Sequence, residues 1–137
     1  MTSTTATGLL DTNVVINLPR LVDPGSLPDV PLISTVTLAE LSVGPLVAPT
    51  AHEREARQAV LQQAETDFEP VPFDAAAARA FGRVAAALHR SGRKPQARAY
   101  DALIAAIAVA RHLPLYTCNP DDFVGIDELR VVPVLVP

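Results

Sequence analysis

The sequence predicts an α/β fold, a mostly parallel sheet flanked by helices. Two observations carry this. Short apolar runs alternate with helical stretches along all 137 residues, the order that builds a parallel sheet covered by helices. Several of those runs also end abruptly in a polar or acidic residue, as strands do where a parallel sheet builds a site at their C-terminal ends. The length is near the commonest domain size and 49% of the residues are apolar. One core and one domain over residues 1–137 are therefore expected.

Met1 to Thr7 is uncharged and Ser/Thr-rich, without the basic segment of a secretory signal, and reads as a short frayed tail. Leu9–Thr12 reads as a short buried strand ending in Asp11. A helix from Asn13 to Leu18 is expected to stop near Pro19. The prolines at 19, 24, 28 and 31 mark a loop or broken helix. Pro31–Ser34 reads as a second strand. A helix through Thr37–Val43 follows and ends at Gly44-Pro45. Thr50–Asp67 reads as an amphipathic helix with a small-residue stripe of Ala56, Ala59, Val60 and Ala64. That stripe suits core packing or a partner.

Phe68–Phe73 contains prolines and reads as a short edge strand. Asp74 starts a helix to about His89, with Ala77, Phe81, Val84, Ala85 and Leu88 turned inward. Residues 91–95 form a basic loop. Tyr100–Ala110 is apolar nearly all round, as a buried helix is, with Asp101 near its start as its one acid. Leu113–Thr117 and Arg130–Val134 read as the fourth and fifth strands.

Net charge is −4, which argues against a polyanionic partner. The distribution qualifies that. Between Asp74 and Asp101 there is no acid, while Arg79, Arg83, Arg90, Arg93, Lys94 and Arg98 give +6; the remainder is −10. Such a run is either a solvated helix face or a cationic surface for a nucleic-acid backbone. Cys118 is the one cysteine, so no internal disulfide forms and a reducing cytoplasm is expected. Without a Cys/His cluster there is no zinc signature. No apolar run is long enough to span a bilayer.

Asp11 follows the first strand, Glu40 lies shortly after the second, and Asn119 and Asp122 follow the fourth. Asp101 lies one helix upstream of the fourth. Each has an ordinary alternative: Asp11 caps a helix, Glu40 completes a capping box with Thr37, and Asp101 faces a helix dipole. Parallel strands bring their C-terminal ends to one edge, where carboxylates repel unless a cation or a raised pKa relieves them. All-oxygen donors suit Mg²⁺ or Mn²⁺, and such an ion promotes phosphodiester hydrolysis. A haloacid-dehalogenase-type phosphotransferase needs a second Asp where Asn13 stands. A receiver domain needs a Lys after its last strand, and Lys94 is misplaced for that.

Leu10-Asp11-Thr12-Asn13-Val14-Val15-Ile16, Ile33-Ser34 with Thr37-Leu38-Ala39-Glu40-Leu41, Tyr100-Asp101-Ala102-Leu103-Ile104-Ala105 and Thr117-Cys118-Asn119-Pro120-Asp121-Asp122-Phe123 together resemble a PIN-domain ribonuclease. They are most similar to the VapC toxins of type II toxin–antitoxin pairs. Cys118 departs from the arginine more usual there. The resemblance implies a five-stranded parallel sheet with helices on both faces, endonucleolytic RNA cleavage with Mg²⁺ or Mn²⁺, a homodimer and a VapB-like antitoxin. It implies Asp11, Glu40, Asp101 and Asp122 as the acidic quartet, with Asp11 and Asp101 the foremost metal ligands. Asn119, Thr12, Asn13 and Thr117 would support them, and Arg79, Arg83, Arg93, Lys94 and Arg98 would hold RNA. A housekeeping PIN nuclease and a silent RNA- or antitoxin-binding module are the competing expectations.

Overall fold

The computed structural model describes residues 6–93 and 98–137. In chain order the elements are β1 (Thr7–Leu10), α1 (Thr12–Ile16), β2 (Val30–Ser34), α2 (Thr35–Val43), α3 (Ala51–Asp67), β3 (Pro70–Val71), α4 (Ala75–Arg90), α5 (Ala99–Ala110), β4 (Leu115–Thr117) and β5 (Val131–Pro133). Short 3-10 turns fill several connections, among them Gly44–Val47 and Pro120–Phe123.

The five strands form one sheet in the order β3-β2-β1-β4-β5. Every pairing is parallel. β1 is central, flanked by β2 through Leu9↔Leu32 and by β4 through Leu10↔Tyr116. Buried on both faces, it is apolar throughout its second half, and Leu9 and Leu10 point into different cores. One core joins Leu9, Leu115, α4 and the inner face of α5. The other joins Leu10, Ile33, Val14, Leu41 and Ala64 of α3. Gly8 suits its place in β1, because a Cβ there would collide with the ring of Tyr116.

Several expectations shift by a residue or two. The first strand begins at Thr7, earlier than expected, because Ala6 accepts from Val30 and donates to Asp29 across to β2. The expected tail thus contributes Ala6 and Thr7 to the sheet edge, and residues 1–5 lie outside the described residues. The second helix starts at Thr35, with Ser34 as its cap: the Ser34 hydroxyl accepts from the Thr37 amide at 3.0 Å. Glu40 is therefore not the partner of a Thr37 capping box. Asp74 caps α4 by accepting from Ala77 N–H. Ala80 and Ala87, rather than Phe81 and Ala85, are its fully buried positions beside Ala77, Val84 and Leu88. β3 is two residues long and lies at the edge, as its prolines require. No helix among the described residues is long and apolar enough to cross a membrane.

Candidate active site

The C-terminal ends of β1, β2 and β4 lie side by side, so residues 10–12, 34–40 and 117–122 meet at one edge of the sheet. Asp11 is the centre. Its backbone N–H donates to Tyr116 O of β4 at 2.8 Å, which extends the β1–β4 ladder by one bond. Its side chain is 3% exposed. One carboxylate oxygen accepts from the Thr12 amide at 2.9 Å and the other from the Thr117 hydroxyl at 2.8 Å. Asp11 is thus both the cap of α1 and a buried carboxylate aimed at the strand ends.

Thr12 ties this centre to α2. Its hydroxyl lies 2.7 Å from Glu40 Oε1, to which it donates, and 2.9 Å from the Thr37 hydroxyl. Thr37 in turn meets Ser34 at 3.3 Å. Ser34, Thr37 and Thr117 are completely buried. Buried hydroxyls need partners, and these satisfy one another. On the other flank, Asn13 accepts from the Cys118 amide at 3.1 Å and donates to Thr117 Oγ1 at 3.4 Å. The Asn119 backbone N–H also donates to Thr117 Oγ1, at 3.0 Å, and the Asn119 side chain is exposed. The role of Asn119 here is carried by its backbone.

Asp101 and Asp122 approach from the other side. Asp101 sits half-buried in the first turn of α5. Asp122 lies on the 3-10 turn Pro120–Phe123 after β4, which Phe123 anchors in the core. Arg98, at the start of α5, pairs with Asp122 Oδ1 at 2.8 Å and with Asp101 Oδ2 at 3.8 Å.

The four acids influence one another electrostatically. Burial pushes the Asp11 carboxyl up to about 6, and the charges of Asp101 and Glu40 add to the rise against the hydrogen bonds from Thr117 and Thr12. Asp101 is raised by burial and by Asp122 and Glu40, and Arg98 opposes this. Burial, and then Asp11, also raises the Cys118 thiol. Cys118 contributes its backbone N–H, which donates to Asn13. Among the described residues no three His, Cys, Asp or Glu side chains are drawn together as a finished metal cage. All four acids offer hard oxygen donors, the kind that Mg²⁺ and Mn²⁺ take.

The cations divide. Arg98 reaches the acids. Arg83 is held by Glu128 at 3.0 Å. Arg79 is exposed on α4 and Arg93 is half-buried just beyond its end. Arg111 of α5 pairs with Asp74 at the head of α4, so the two helices run antiparallel. Arg79 therefore sits toward the end of α4 away from Asp101, and Arg83 near the middle of the helix. Lys94 lies outside the described residues. Ser34 and Thr37 are the members of the network to which the sequence assigned no site role; their signal was a run of hydroxyl residues, Ser34, Thr35 and Thr37, at an apolar strand-to-helix junction.

Beside Glu40 and Thr12 an open apolar groove runs between α1, α2 and α3, lined by Ile16, Leu41, Ala56 and Val60. It continues past Ala59 and Ala64 to Phe68. Ala56 and Ala59 of the small-residue stripe are exposed, and Ala64 is buried in the core.

Fold and acids together define a nuclease of the PIN class: the PIN domain family model matches residues 9–129, and the chain belongs to that family. Within it, the chain falls among the VapC ribonuclease toxins. It is 40% identical over 137 residues to ribonuclease VapC5 of Mycobacterium tuberculosis, covering 98% of each chain. The crystal structure of VapBC-5 from that organism, a member of the VapBC family of toxin–antitoxin systems, superposes with a TM-score of 0.82 at 38% identity, over 94% of this chain and 99% of that one. FitAcB from Neisseria gonorrhoeae matches at 0.70 and 27% identity, over 90% and 94% of the two chains. DNA-bound VapBC from Salmonella typhimurium matches at 0.67 and 26%, over 93% and 97%.

Proposed function

We propose that this VapC-type ribonuclease is a Mg²⁺- or Mn²⁺-dependent endoribonuclease that acts in the cytoplasm, on RNA whose cleavage stops translation and growth. The observation that carries this is Asp11, buried at the end of the central strand and raised to about 6 among Glu40 and Asp101. Keeping a carboxylate there costs stability unless its charge is used. The donor set fits a hard divalent ion. Asp11 and Asp101 would hold it, with Glu40 and Asp122 completing the negative field. When bound, such an ion polarises a phosphoryl oxygen and acidifies a water.

The chain's own residues do the positioning. Thr117 and the Thr12 amide fix both oxygens of Asp11. Thr12 aims Glu40, and Thr37 and Ser34 hold Thr12. Asn13 locks the start of the 118–122 segment against α1. Arg98 offers a guanidinium fork at the rim for the phosphodiester.

The relatives described as toxin–antitoxin complexes support a cognate VapB-like antitoxin for this chain. The apolar groove beside Glu40 suits an amphipathic antitoxin helix. A homodimer is the expected assembly, measurable by light scattering.

The test is cleavage of total cellular RNA by the purified protein with Mg²⁺, Mn²⁺ or EDTA, beside Asp11→Asn. Discrete products that need metal and fall by at least ~10³-fold in the variant, about 4 kcal/mol of barrier, are expected. Cleavage that survives EDTA, or persists in Asp11→Asn, would refute the reading.

A further inference from the structure

We propose that Arg98 is a built-in counter-cation: in the metal-free protein its guanidinium pairs with Asp101, one of the carboxylates that would hold a divalent ion, and with Asp122 beside it, so guanidinium and ion compete for them. This rests on the metal-dependent reading above and adds a residue that sets how readily metal enters.

The four carboxylates are neutralised by two different means. Asp11 and Glu40 accept hydrogen bonds from an amide and two threonine hydroxyls. Those bonds survive the arrival of an ion, because each carboxylate oxygen has a second lone pair to offer. Asp101 and Asp122 have no such donors on their carboxylates among the described residues; Arg98 is what faces both, at 3.8 and 2.8 Å. It is also the group that holds Asp101 down against the charges of Asp122 and Glu40.

Arg98 is built to leave. Its side chain is 46% exposed. It stands at the first turn of α5 without a side-chain capping bond. A divalent ion cannot share the two carboxylates with a guanidinium in contact with one of them, because like charges at such separations repel strongly. Entry of the ion therefore turns the guanidinium outward. There its fork meets the rim where an RNA phosphate approaches. Arg98 is a positioning residue before metal arrives, tying the Asp122 turn to α5.

Mn²⁺ binding to the full-length protein, followed by the electron paramagnetic resonance of free Mn²⁺, tests this without reference to activity. Arg98→Gln is expected to bind Mn²⁺ about tenfold more tightly than the parent, the order expected for removing one like charge beside the site. Arg98→Lys, which keeps the charge, should stay within about twofold. Circular dichroism checks the fold, and Arg98→Met serves equally should the glutamine variant fold poorly. Parent protein that binds Mn²⁺ with an Arg98→Gln variant that binds no more tightly would overturn the inference while leaving the nuclease reading intact. Weaker binding in that variant would mean that Arg98 organises the ligands rather than competes with the ion, and would overturn it too. Failure of every form to bind Mn²⁺ would remove both.

Discussion

Asp11, buried at the sheet edge, and half-buried Glu40 beside it are held by neutral donors, whereas Asp101 and Asp122 are balanced by one exposed cation at the rim. The inner pair is pre-arranged. Thr12, Thr37 and Ser34 are buried and bonded to one another, and buried Thr117 bonds Asp11 directly, so Asp11 and Glu40 are held before anything binds. The outer pair is adjustable, because its partner is a long side chain open to solvent. A site assembled from a rigid half and a responsive half can hold its geometry and still respond to what enters.

The largest break in that contrast comes from removing inner-half donors. Thr117→Val keeps the shape of the side chain and deletes the bond to Asp11; Thr12→Val deletes the bond to Glu40. Each should lower kcat by roughly 10- to 100-fold with KM little changed, the usual cost of losing a group that orients a ligand. Steady-state cleavage of a defined oligoribonucleotide would check this, and a loss confined to KM would contradict it.

Next comes pH. Asp11 titrates near 6 in the folded protein and near 4 unfolded, so between these values the native state holds the extra proton. Stability of the metal-free protein should therefore fall as pH rises from about 4 to about 6, by up to about 3 kcal/mol from this group. Asp11→Asn should lack that component. Urea unfolding of both proteins in EDTA across that window measures the difference, and parallel curves would rule out the buried charge as its source.

The smallest effect should be at the far side. Glu128→Gln removes the exposed partner of Arg83 and should change stability by under about 1 kcal/mol. It should leave cleavage unchanged, separating the Arg83–Glu128 pair from the acidic edge.

What the sequence made legible follows from how local each signal is. Asp11 could be found because an apolar strand ends on it, and parallel strands share an edge whatever their order. α5 announces itself by being apolar all round, and β3 by its prolines. The hydroxyl network was harder: Thr12 and Thr37 are 25 positions apart, and nothing in either neighbourhood encodes their contact. Ser34 and Thr37 are both plausible caps for one helix, and only the strand's endpoint decides for Ser34. The basic stretch looked continuous along the chain, yet the antiparallel packing of α4 and α5 separates its described members, and Glu128, 45 residues beyond Arg83, neutralises one of them.

The central position of β1 has a consequence during synthesis. The strand that leads into Asp11 is made long before its neighbour β4, whose Tyr116 pairs with Leu10. Asp101 and Asp122 appear later still than the first two strands. Contacts this far apart in the chain form only after the intervening segment exists and its loop has closed. A nascent chain therefore cannot assemble the four acids into one site until residue 122 has been made. Whatever restrains the finished enzyme meets no assembled site before that point.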